Sequence, residues 1–143
     1  QLLVLYPSSP HIEWPGRTAR NDWTEAFEWV RLNTPRDAYF VLGPRYQEAA
    51  GEDFHDFRSL AERSALADYS KDRGVVVNWP ELAPAWREQV HDRDNWQKFT
   101  LADFARLKAK YGVTWAVVEF LHPTGEALEC PYHNYAVRVC RIP

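Results

Sequence analysis

The stretch Asp22-Trp23-Thr24-Glu25-Ala26-Phe27-Glu28-Trp29-Val30-Arg31-Leu32-Asn33-Thr34-Pro35-Arg36-Asp37-Ala38-Tyr39-Phe40-Val41-Leu42-Gly43 decides the fold. Trp23, Ala26, Phe27 and Val30 follow the spacing of one buried helical stripe, and Trp29 lies off it. Asp22 with Glu25 three residues on forms a capping-box-like start, and Thr34-Pro35 turns the chain out of helix. Ala38 to Leu42 then runs almost continuously apolar, as a strand covered on both faces does, and Gly43-Pro44 ends it.

A second helix-to-strand unit repeats the pattern at the other end of the chain. Thr100 caps, Asp103 follows three on, and Leu101, Phe104, Leu107 and Tyr111 make the stripe before Gly112 stops the helix. Val113 to Phe120 reads as the central strand. Two such units predict an α/β domain, specifically a three-layer Rossmann-like sandwich whose mostly parallel sheet ends in a C-terminal antiparallel hairpin, Glu126 to Tyr132 with Tyr135 to Ile142.

Between the units, Phe54, Phe57, Leu60 and Ala61 predict a short helix, while Ala65 to Tyr69 and Val75 to Val77 have strand character. Pro80 or Pro84 opens a further helix with Trp86 and Val90 on its inner face. Upstream, Pro7 to Arg20 holds three prolines, Ser8-Ser9 and Gly16, the composition of an irregular arm. All 143 residues are therefore expected to form one α/β domain, with residues 1–20 as its arm. Because the chain opens on Gln1 and contains no Met, it is read as a fragment of a longer polypeptide.

Composition narrows the function classes. Net charge is −3 with scattered basic residues, which disfavours nucleic acid. Seven each of Trp, Tyr and Phe argue against disorder. The Gln1 to Tyr6 run is far shorter than the roughly 20 residues a membrane span needs. Cys130 and Cys140 flank the hairpin. With a two-residue turn at His133-Asn134, Cys130 would face Val137 and Cys140 would point to the other side of the sheet, so free thiols are expected. Only a longer or bulged loop would bring the pair together.

The densest polar cluster runs from Glu62-Arg63 through Asp68 to Lys71-Asp72. Placed beyond the carboxyl end of a parallel strand, it is the best ligand-site candidate, although charge runs are usually solvated ion pairs. The candidate binding set is Glu62, Arg63, Asp68, Lys71, Asp72 and Trp79. Trp79 belongs with Trp14, Trp29 and Trp96 as a possible stacking platform for sugar rings, whereas Trp23, Trp86 and Trp115 fall on core faces. The acids and imidazole of Glu52-Asp53-Phe54-His55-Asp56 lack a third convergent ligand, so no metal is expected. Neither a nucleophile motif nor a glycine-rich phosphate loop occurs, and no cofactor is expected.

Beyond these readings, several motifs carry a resemblance: Asn21-Asp22-Trp23, Phe27-x-Trp29-Val30-Arg31-x-Asn33-Thr34-Pro35-x-Asp37-Ala38, Phe57-Arg58, Glu62-Arg63-Ser64, Tyr111-Gly112-Val113-Thr114-Trp115 and the Asn134 hairpin. Together they resemble the C-terminal soluble region of uncharacterised bacterial polytopic membrane proteins. Those proteins have a hydropathy similar to membrane glycosyltransferases that use lipid-linked sugars. The resemblance implies a non-catalytic domain on the extracytoplasmic, periplasmic face of a bacterial membrane. Its implied partners are the membrane-embedded part of the same polypeptide and a glycan or lipid-linked sugar. Two alternatives stand beside it: a small α/β enzyme using the Glu62–Asp72 cluster, and an interaction module of a soluble multidomain protein.

Overall fold

A computed structural model describes residues 22–48 and 57–143. The predicted N-terminal arm, Trp14 and the Glu52–Asp56 cluster lie outside the described residues. The described helices and strands are α1 (Asp22–Asn33), β1 (Tyr39–Leu42), α2 (Phe57–Ala61), β2 (Ser64–Ala65), α3 (Lys71–Asn78), α4 (Ala83–His91), α5 (Leu101–Tyr111), β3 (Trp115–Glu119), β4 (Glu129–His133) and β5 (Val137–Arg141). Short 3₁₀ turns at Tyr46–Glu48, Pro80–Leu82 and Trp96–Lys98 link them.

The strands form one mixed sheet in the order β2-β1-β3-β5-β4. β1 pairs parallel with both β2 and β3, and β5 runs antiparallel to both β3 and β4. The molecule is thus an α/β domain whose sheet is half parallel. The hairpin is not an appendage, since β5 enters beside the central strand β3.

Alternation along the strands builds an apolar core on each face of the sheet. On one face Trp23, Ala26, Phe27 and Val30 of α1 and Phe57 and Ala61 of α2 pack on Phe40, Leu42, Trp115, Val117, Val137 and Val139. On the other, Phe104 and Leu107 of α5 with Trp96 and Phe99 cover Val41, Ala116, Val118 and Cys140. The helical stripe read from α1 is the buried one. In α5 the capping box of Thr100 and Asp103 forms, and Gly112 ends the helix with φ +77°. Leu101, placed on that stripe, is exposed instead.

Two strand expectations are corrected. Only Ser64 and Ala65 pair as β2; Leu66 N–H still donates to the Phe40 carbonyl of β1, and the amides beyond it are taken individually. Ala67 N–H donates to Gln89 Oε1, Asp68 N–H to Asp72 Oδ2 and Tyr69 N–H to the Pro44 carbonyl. Val75 to Val77 lie in helix α3 rather than a strand. The buried Asp68 carboxylate accepts from the amides of Lys71 (2.6 Å) and Asp72 (3.4 Å), which satisfies the first turn locally and favours helix over sheet.

The free-thiol expectation is also wrong: Cys130 and Cys140 form a disulfide across β4 and β5. Two register changes cause it. The turn is longer than two residues, with His133 facing Arg138 and the Asn134 amide donating to the Val137 carbonyl. A bulge between Glu129 and Tyr132 then sets two residues against one, bringing Cys130 opposite Cys140. Pro131, which has no N–H for a ladder, lies in that bulge on the edge strand.

Candidate functional site

The charged cluster read from the sequence does not converge. Arg63 is buried and spends its guanidinium on α1: Nε donates to Thr34 Oγ1, and Nη2 donates to the carbonyls of Arg31 (2.8 Å) and Thr34 (2.7 Å). It caps the C-terminal carbonyls of that helix. Glu62 is exposed, at 3.6 Å from Arg31 Nη1.

At the other end of the cluster, Asp68, Lys71 and Asp72 do come together, but as the start of α3. Asp72 receives a bidentate pair of bonds from Arg58, both 2.8 Å, and Arg58 also donates to the Ala65 and Leu66 carbonyls. Burial pushes the Asp68 carboxyl above the ordinary aspartate range, partly offset by the Lys71 amide. The void beside Asp68, Arg58 and Arg93 holds about 10 Å³, too little for a ligand. The Lys71 and Trp79 side chains are exposed.

The tryptophans fall out differently from the sequence reading. Trp96 is only 5% exposed, packed among Phe99, Phe104 and His122. Trp29 is half-buried, stacked on Tyr132 at 5.1 Å. Trp86 is half-buried, and its Nε1 donates to the Asp68 carbonyl. Of the four platform candidates, Trp79 is the exposed one among the described residues.

A different place has the shape of a site. At the carboxyl ends of the adjacent parallel strands β1 and β3 lies a crevice of about 410 Å³, lined by Gly43, Pro44, Arg45, the Arg93–Lys98 segment and Glu119 among others. Open α/β sheets bind ligands at such strand ends. The sequence held the signal in Gly43-Pro44, which follows a buried strand directly, and in Glu119, the one charged residue of an apolar one. The sequence points the strand-end rule at Ala65–Tyr69 instead, which does not extend as a strand.

The crevice is firmly built. Arg93, 1% exposed, donates from Nε to the Gln89 carbonyl, from Nη1 to the Leu42 carbonyl and from Nη2 to the Ala67 carbonyl. It thereby ties α4 to the ends of β1 and β2. Burial pulls its pKa down to about 10, partly offset by Asp68, so it stays charged at neutral pH. The Trp96 carbonyl accepts from Nε2 of buried His122, whose Nδ1 accepts from the Thr124 amide, a pattern that defines the neutral Nε2–H tautomer.

Glu119 reaches over from β3. Its Oε2 accepts from Trp96 Nε1 at 2.9 Å and its Oε1 from Gln97 Nε2 at 3.1 Å. Gly43 leaves room for this arrangement, since a Cβ there would meet Trp96 Cδ1 and Nε1 at 3.0 Å. Arg45 pairs with both Glu48 oxygens and lies 3.5 Å above the Tyr69 ring. Asp94 accepts from His91 Nδ1 at 2.6 Å.

Among the described residues lining the crevice, none is Ser, Thr, Cys or His. The lining offers a carboxylate, amides, cations and an apolar floor, a set suited to binding a hydroxyl-bearing ligand. No group of three His, Cys, Asp or Glu side chains able to hold a metal occurs among the described residues.

Fold and site thus define a disulfide-bonded α/β domain with a strand-end crevice. The chain belongs to the family described as Domain of unknown function (DUF6798), whose model matches residues 21–92, just over half of its length. The match runs from α1 through α4 and stops short of Trp96, Gln97 and Glu119. No curated protein matches the chain.

Proposed function

We propose that this is a non-catalytic accessory domain, a Rossmann-like three-layer sandwich on the extracytoplasmic face of a bacterial membrane. In this reading it belongs to a multi-span protein, packs against the membrane-embedded part of the same polypeptide and contacts a glycan or lipid-linked sugar. The apolar cores on both faces of the sheet support the layered architecture. The Cys130–Cys140 disulfide supports an oxidising compartment, where such bonds persist. No helix among the described residues is long and apolar enough to cross a membrane, so the reading puts any span in other parts of the polypeptide.

The observation that carries a binding role over catalysis is the crevice at Gly43 and Glu119. Its described lining supplies hydrogen-bonding groups and none of Ser, Thr, Cys or His, while Arg63, Asp68 and Asp72 of the Glu62–Asp72 cluster are committed to helix ends and Glu62 and Lys71 are exposed. Two experiments test the proposal. Sequencing the parent gene upstream of Gln1 should find several apolar stretches of about 20 residues, and their absence would remove the membrane assignment. Titrating the chain with short oligosaccharides, followed by amide chemical shifts, should move Gly43, Gln97 and Glu119; shifts confined elsewhere, or none, would reject the crevice as the glycan contact.

A further inference from the structure

α3 is an odd helix. Its sequence, Lys71-Asp72-Arg73-Gly74-Val75-Val76-Val77-Asn78, carries three β-branched valines and a glycine, all weak helix formers. A Cβ at Gly74 would meet nothing within 4 Å, so packing does not demand the glycine. None of the residues of α3, the Pro80–Leu82 turn or α4 is buried. The two helices form a surface hairpin, anchored where Trp86 and Gln89 bond the Asp68 and Ala67 backbone. Its connecting end carries large apolar side chains in water: Val77 is 75% exposed, Trp79 54%, Leu82 49% and Val75 41%.

The protrusion is neutral in sum, three cations against Asp72, Glu81 and Glu88, within a chain whose net charge is −3. Lys71, Arg73 and Arg87 are exposed on it. Of its acids, Asp72 is held by Arg58, the exposed Glu88 lies 2.7 Å from Lys110 Nζ, and Glu81 is exposed near the connecting end. At 1.5 Å per residue, Arg73 lies about 6 Å behind Val77 along the helix. An apolar tip with an indole, backed by cations about one to two helical turns away, matches the layering of a lipid interface. In such an interface apolar side chains enter from the water side, an indole lies at headgroup level and cations face phosphates. A protein groove would demand a shaped counterpart, whereas a fluid interface accepts a small convex tip.

We infer that the α3–α4 hairpin is a membrane-contact element, inserting Val77, Trp79 and Leu82 into the headgroup region of an anionic phospholipid surface with Lys71, Arg73 and Arg87 on the phosphates. The inference deepens the membrane reading proposed above and rests on it for a nearby bilayer. Because both a short apolar insertion and charge contribute, contact is reversible and weakens with salt.

The test is co-sedimentation of the 143-residue chain with vesicles of phosphatidylcholine mixed with phosphatidylglycerol, and with vesicles of phosphatidylcholine alone. Binding to the anionic vesicles is expected, falling about tenfold in Val77→Asp/Leu82→Asp and about as much in Lys71→Glu/Arg73→Glu. All four positions are exposed, so circular dichroism of both variants should match the parent, and the charge-reversal variant alone suffices should the apolar one unfold. Absence of vesicle binding overturns the inference, as does binding that neither variant changes. A concentration-dependent dimer dispersed by Val77→Asp, without vesicle binding, would assign the tip to a second copy and equally overturn it. These outcomes are separate from the count of upstream spans, which decides the membrane assignment independently.

Discussion

The guanidinium of Arg63 donates to both the side-chain oxygen and the backbone carbonyl of Thr34, at 3.1 and 2.7 Å. Thr34 follows the last residue of α1, and its Oγ1 in turn donates to the Val30 carbonyl at 2.7 Å. A residue that looked like part of a ligand site is therefore the terminator of a helix. Replacing it with Met keeps the apolar stem but strands buried carbonyl acceptors, at a cost of about 3 kcal/mol. Urea unfolding should show the loss, and Arg63→Lys should recover only part of it, because an ammonium cannot reproduce the planar fork. A midpoint unchanged in Arg63→Met would refute the capping role.

Gly43→Ala tests the crevice wall. The added methyl would press on the Trp96 indole at 3.0 Å, and that ring is hemmed in by Phe99, Phe104 and His122. Overpacking of this kind costs about 1 to 3 kcal/mol. The nearest relief is rotation of the indole away from Glu119, breaking the Nε1 bond. A melting curve together with the indole N–H chemical shift should report both effects; an unshifted indole resonance would mean the wall is softer than its packing indicates.

Reducing the Cys130–Cys140 bond reopens a loop with a sequence separation of 10. Chain entropy puts the loss near 3 kcal/mol. Mass spectrometry after alkylation should find two unreactive cysteines before reduction and two modified ones after, with the thermal midpoint dropping in reductant. Quantitative alkylation of the native protein would show that the thiols are free.

Two carboxylates give opposite pH signatures. Burial raises the Asp92 carboxyl, but bonds from Lys110 Nζ and Tyr111 Oη outweigh it, and the net shift is downward. Its stabilising contribution is complete above the ordinary aspartate value of about 3.9 and is lost as pH falls through the depressed native value. Asp68 is shifted upward by burial, so its contribution is present below that ordinary value and is lost as pH rises through the raised one. Stability measured from pH 2 to 7 should therefore rise less steeply at the acid end in Asp92→Asn. It should stop declining over the Asp68 window in Asp68→Asn. Parallel curves for parent and variant would contradict the respective shift.

What the residues settle on their own here is local. The stripe of α1, the capping box of Thr100 and Asp103, the left-handed stop at Gly112 and the apolar runs of β1 and β3 are readable because each depends on neighbours within one or two helical turns or on strand alternation. What tertiary structure alone decides depends on partners far along the chain. Arg63 finds its acceptors on α1, Arg93 reaches the ends of β1 and β2, and Glu119 reaches Trp96 and Gln97; no local spacing encodes those meetings. The valines of α3 prefer strand by propensity but lie in a helix, because Asp68 satisfies its first amides. The disulfide turned on the longer hairpin turn and the bulge together, since a shift of a single residue reverses which face a strand residue presents.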